Sequence, residues 1–232
     1  MTNELVPLLR GVTHAWAFWF ALAATVVLVA LAETGIARGA ALVYGAGLCL
    51  MLAGSAVYHR WKGDPRLRAI LQRIDHSTIF VFIAASYTPV CLLVLEGSLR
   101  WVVLGGVWAG AAGGVALSVA WITAPRVLHA IAYVALGWFA LIAVPQMVSR
   151  LPLTPLLLLG IGGLLYSAGA AIYAIQRPDP WPRVFGFHEV FHALVIAAAV
   201  VHFVAMAGWV IPVGYAPRSP ADRRRRGRPA AS

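Results

Sequence analysis

Seven apolar stretches, each long enough to cross a bilayer as a helix, divide this chain: His14 to Ala32, Gly39 to Tyr58, Ser77 to Leu95, Trp101 to Ile122, Val127 to Val144, Leu153 to Ile175 and His188 to Ile211. All 18 Lys and Arg residues fall between or beyond them. Inside a bilayer every backbone polar group must find its partner within the protein, which leaves helices or the alternating strands of a closed barrel. None of these stretches alternates. The expected fold is therefore an all-α membrane protein, a seven-transmembrane helix bundle. Composition agrees, since 61% hydrophobic and 11% charged residues leave too little polar surface for a soluble globule. One membrane domain is expected over residues 1–212, followed by a basic, disordered tail over residues 213–232. The first stretch exceeds a signal-peptide core and is followed by Glu33, so it reads as a retained helix. Cys49 and Cys91 fall at different depths of their helices, and no disulfide is expected.

Most of the nine Trp residues, Trp16, Trp61, Trp101, Trp121, Trp181 and Trp209 among them, sit near stretch ends, as in an aromatic belt. Basic residues concentrate in the second loop (Arg60, Lys62, Arg66, Arg68, Arg73) and the sixth (Arg177, Arg183), against one Arg each in the first, third and fifth. That bias predicts a multi-pass protein of the cell membrane with a cytoplasmic N-terminus and an external C-terminus. The tail, with Arg218, Arg223 to Arg226 and Arg228, runs against the rule. A net charge of +10 lies wholly in loops and tail, so membrane lipids are the expected partners and no nucleic-acid binding is expected.

Alternation of the spans brings the end of the second, the start of the third and the start of the seventh to one face of the membrane. Those three places hold Ser55 and His59, Asp75 and His76, and His188 and His192. Residues four apart lie about 6 Å along a helix axis and only about 40° around it, so each i, i+4 pair projects from one face. His59, His188 and His192 can then converge. Three neutral imidazoles with a fourth position open are the ligand set of a catalytic Zn2+ site, expected near the cytoplasmic face. Asp75 is the expected general base or hydrogen-bond partner of the bound water, and Ser55, one turn deeper, a hydroxyl for water or a substrate carbonyl. A plain interfacial N-cap is the other reading of Asp75. His14, His76 and His129 read as interfacial residues, His202 as a buried hydrogen-bonded one, and the glycines of the fourth span (Gly105, Gly106, Gly110, Gly113, Gly114) as packing features.

His188-Glu189-Val190-Phe191-His192 also matches H-E-x-x-H, in which a metalloprotease uses the Glu to activate water. With a third His and a carboxylate supplied by other helices, Glu189 becomes optional. It can instead face headgroups at the helix N-terminus, where the dipole favours its charge.

The segments GSAVYHR, RIDHSTIFVFIAASYTP and HEVFH-ALV, in that order, together resemble the hemolysin III family of the progestin and adipoQ receptor superfamily, which is similar to alkaline ceramidases. The likeness extends from RGVTH at residues 10–14 through HFVAM at 202–206. It implies a seven-helix bundle with zinc near the cytoplasmic face, bound by His59, His188 and His192 with Ser55 and Asp75 alongside. The chain departs in its Arg-rich tail and in the 13 residues ahead of the first span, fewer than in the eukaryotic receptors, so hormone binding is not implied.

Four functions follow as expectations. The first is a zinc-dependent hydrolase of lipid amide or ester bonds, in membrane-lipid homeostasis. The second is a non-catalytic, zinc-stabilised membrane sensor or regulator. A pore-forming cytolysin is disfavoured, because no ring of polar residues lines the helices. An intramembrane H-E-x-x-H metalloprotease would depend on Glu189.

Overall fold

The computed structural model describes residues 7–213. Except for Val213, the expected tail lies outside the described residues. Among the described residues, seven helical spans are long and apolar enough to cross a membrane, built on α1 (Val12–Leu31), α2 (Gly35–Arg60), α3 (Pro65–Pro89, prolonged by a π-helical turn over Val90–Val94), α4 (Gly97–Ala120), α5 (Arg126–Trp138, within a span that runs to Val148), α7 (Leu153–Ile175) and α8 (Phe187–Ala205, within a span that runs to Val210). The fifth span continues through a 3-10 segment, Phe139–Ala143, into the short α6 (Val144–Val148). The seventh continues through a π-helical turn, Met206–Val210, into α9 (Ile211–Val213).

Local chemistry sets the helix ends. The Thr34 hydroxyl caps α2 by accepting from the Ala37 amide at 3.1 Å. Asp64 caps α3 by accepting from Arg66 at 3.0 Å, with Pro65 at the first helical position, where no amide hydrogen is needed. Within the spans, Thr25, Thr88 and Ser118 bond back to the carbonyls four residues earlier, which hides their hydroxyls from the apolar interior.

α3 begins at Pro65, well before the expected Ser77. The added turns carry Arg66 and Arg68, both exposed, with the Arg68 guanidinium over the Tyr58 ring, and Arg73, which donates to the Ala69 and Val119 carbonyls. Asp75 is therefore no N-cap but lies inside the helix, 7% exposed.

α2 and α3 form the middle of the bundle. α1 packs on α2 and α8, α4 on α3, α5 on α3 and α7, and α7 on α8, so the last helix closes the ring against the first. Their shared core includes Tyr44, Leu48, Met51, Phe82, Val94, Val195 and Met206. Large apolar side chains such as Trp19, Phe20, Leu42, Leu157 and Val200 point outward, as a lipid solvent requires. Of the α4 glycines, Gly114 packs where an added Cβ would overlap the Phe80 ring, whereas Gly105 and Gly113 have nothing within 4 Å of that position. Cys49 and Cys91 are free thiols.

Candidate metal centre

The end of α2, the third turn of α3 and the first turns of α8 meet at one end of the bundle, as alternation of the spans requires. His59 Nε2 lies 3.0 Å from His188 Nε2. The His192 ring centroid is 4.5 Å from that of His188 and 5.2 Å from that of His59. One ring nitrogen from each of the three lies within 4.8 Å of the other two. A tetrahedral ion with nitrogens at about 2.0–2.1 Å spaces its ligands roughly 3.3 Å apart, so small ring rotations suffice for a metal. His192 Nδ1 is also buried without a hydrogen-bond partner, an orphaned donor or acceptor that a purely structural cluster does not explain. The three imidazoles fit a metal ion.

Asp75 stands beside this cluster. Its Oδ2 is 3.7 Å from His59 Nε2, too long for a hydrogen bond. The Ser55 side chain, one turn before His59 on α2, interacts with the Asp75 carboxylate. Ser55 is 3% exposed, so this hydroxyl and carboxylate form a buried pair next to the imidazoles.

Glu189 does not face headgroups, contrary to the expectation from its place at a helix start. It is fully buried, with Oε1 accepting from Arg10 Nε at 2.5 Å and Oε2 from the Gly186 amide at 2.9 Å. The reason is local. At the third position of α8 a glutamate reaches back to the capping amide, and the chain before α1 supplies a guanidinium for its other oxygen.

Two of the three histidines read as interfacial are interior residues. His14 is 3% and His129 1% exposed; their ring nitrogens complete no hydrogen bond of good geometry, and interact with the His192 and Pro125 backbones respectively. His14 belongs to the neighbourhood of the cluster: its ring stacks on His192 with centroids 3.8 Å apart and planes inclined by 11°. The signal for it was present in the sequence, because alternation also brings the start of the first span to this end. His76 and His129 face each other as a separate pair, with centroids 5.2 Å apart. His202, as expected, is hydrogen-bonded, its Nε2 lying 3.1 Å from the Leu159 carbonyl.

A cavity of about 380 Å³ starts at the cluster and runs along the bundle. Ser55, Asp75, His188 and His192 line its polar end, and Leu95, Val103 and Met147 line it near the opposite end of the spans. Its walls are otherwise chiefly apolar, contributed by α3, the fifth span, α7 and α8.

Comparison with known proteins places this architecture. The sequence model of the family described as "Haemolysin-III related" matches residues 2–203. "Hemolysin-3" of Bacillus cereus is 27% identical over 206 residues, covering 88% of this chain and 91% of that protein. "Monocyte to macrophage differentiation factor" of Homo sapiens is 29% identical over 219 residues, covering 90% and 84%. "Heptahelical transmembrane protein ADIPOR1" of Oryza sativa subsp. japonica is 32% identical over 181 residues, covering 70% of this chain and 48% of that protein.

Proposed function

From the premise that this chain belongs to the hemolysin III family within the progestin and adipoQ receptor superfamily, we propose that it is a zinc-dependent hydrolase of lipid amide or ester bonds. The observation that carries the reading is the Ser55–Asp75 pair, buried at the point where the three imidazoles meet an apolar cavity. His59, His188 and His192 would hold the metal. When bound, zinc supplies a Lewis acid for a carbonyl oxygen. Asp75 takes a proton from the attacking water at its carboxylate, and Ser55 holds that carboxylate in place. The apolar walls receive the acyl chain and keep bulk water from it. The basic second loop lies at the same end as the histidines, which supports a cytoplasmic placement of the site and of the N-terminus in the cell membrane.

A second reading has its own support. The imidazoles come from α2 and α8, so a metal would tie helices distant in sequence, as a zinc-stabilised sensor of membrane state requires. The cytolysin reading has no comparable support: the cavity is largely apolar. Glu189, with both oxygens engaged, gives none to the protease reading.

The deciding experiment incubates purified, zinc-loaded protein with a panel of ester and amide lipids in mixed micelles and measures fatty-acid release by mass spectrometry. Release that a chelator abolishes supports the hydrolase. No release by folded, metal-loaded protein leaves the sensor.

A further inference from the structure

We propose that His14 is a fourth functional histidine, one that hydrogen-bonds the polar head of the molecule occupying the cavity; this rests on the lipid reading of the metal centre. Its ring is fixed flat against His192 at 3.8 Å and borders the cavity. Both ring nitrogens are buried and neither completes a hydrogen bond of good geometry, the ring's one polar interaction within the protein being with the His192 backbone. A neutral imidazole carries one donor and one acceptor, and the His192 backbone can serve at most one of them, so at least one is buried unpaired at a cost that a ring serving only to stack would avoid as phenylalanine. The other histidines outside the cluster differ: His202 spends its Nε2 on the Leu159 carbonyl, His129 does not border the cavity, and His76, which does border it with its Nδ1 unpartnered, packs edge-on against His129 rather than on the three imidazoles.

The backbone holds His14 there on purpose-built contacts. The Leu8 and Leu9 amides donate to the Arg183 and Val184 carbonyls at 3.1 and 3.2 Å, and Arg10 pairs with Glu189 at the start of α8. Gly11, at φ +74°, packs so closely on α2 that a Cβ there would sit 2.8 Å from His59 Cβ. The start of α1 is thereby fastened to both helices that carry the cluster. The ligand that fits is an oxygen-bearing headgroup, a lipid ester or amide carbonyl, whose chain extends into the apolar part of the cavity.

The test uses cobalt-loaded protein and dodecanehydroxamic acid, a metal-directed probe with a long chain, titrated while the cobalt absorption band is followed. His14→Phe keeps a ring to stack on His192 and removes the hydrogen bonds; His14→Gln keeps hydrogen bonding and removes the ring. Both variants should take up cobalt. His14→Phe should bind the probe about tenfold more weakly than wild type, and His14→Gln within about threefold, the scale of one hydrogen bond. Wild-type probe affinity in His14→Phe, or equal losses in both variants, would overturn the assignment and leave His14 a packing residue. Failure of wild type to bind cobalt would be a separate result: it would overturn the metal reading, and this inference with it.

Discussion

Arg10 and Glu189, 179 residues apart in the chain, meet at 2.5 Å in a pair whose carboxylate is entirely buried. The contact joins the start of the first span to the start of the last. It also engages the glutamate of an H-E-x-x-H string in structure, one oxygen on a guanidinium and the other on a capping amide.

Glu189→Gln therefore acts on stability. Breaking a buried charge pair leaves Arg10 uncompensated, although that side chain is partly exposed, and the expected loss is about 2–3 kcal/mol. A thermal melt of the detergent-solubilised variant should fall while metal content per folded chain stays near wild type. Unchanged stability with lost proteolysis of a transmembrane substrate would restore the protease reading.

Metal content is the most direct prediction. Elemental mass spectrometry should find about one zinc per chain in wild type and a loss of at least about tenfold in His59→Ala and in His192→Ala, because a three-nitrogen site does not survive as two. A well-folded wild type without metal would turn these imidazoles into a hydrogen-bonded cluster.

Asp75 and zinc binding should separate. Asp75→Asn keeps the shape of the side chain and its place beside Ser55 but removes the proton acceptor, so lipid turnover should drop about 10²–10⁴-fold with zinc retained. Ser55→Ala should cost less, about tenfold, because it loosens the carboxylate without removing it. Normal turnover in Asp75→Asn would take that residue out of the mechanism.

The α4 glycines make a paired control of packing. Gly114→Ala forces a methyl group against the Phe80 ring and should destabilise by about 1–3 kcal/mol. Gly113→Ala, with nothing within 4 Å, should be neutral or slightly stabilising through helix propensity. Similar melting temperatures for the two would mean that α3 and α4 do not pack in this way.

Seven runs of apolar residues punctuated by charge were enough to determine a seven-span helical bundle, because a bilayer leaves the backbone no other way to satisfy its polar groups. Alternation of the spans then put His59, His188, His192, Asp75 and Ser55 at one end, a result of parity and helical periodicity alone. Three things needed the tertiary structure. α3 extends back to Pro65, where Asp64 caps it, through a basic stretch that hydropathy reads as loop, so Asp75 became an interior residue rather than a cap. Glu189 turned inward because its partner, Arg10, comes from the other end of the chain. His14 and His129 proved buried because the burial of a residue near a span end depends on which helices flank it, and the sequence does not specify the order of helices around the bundle.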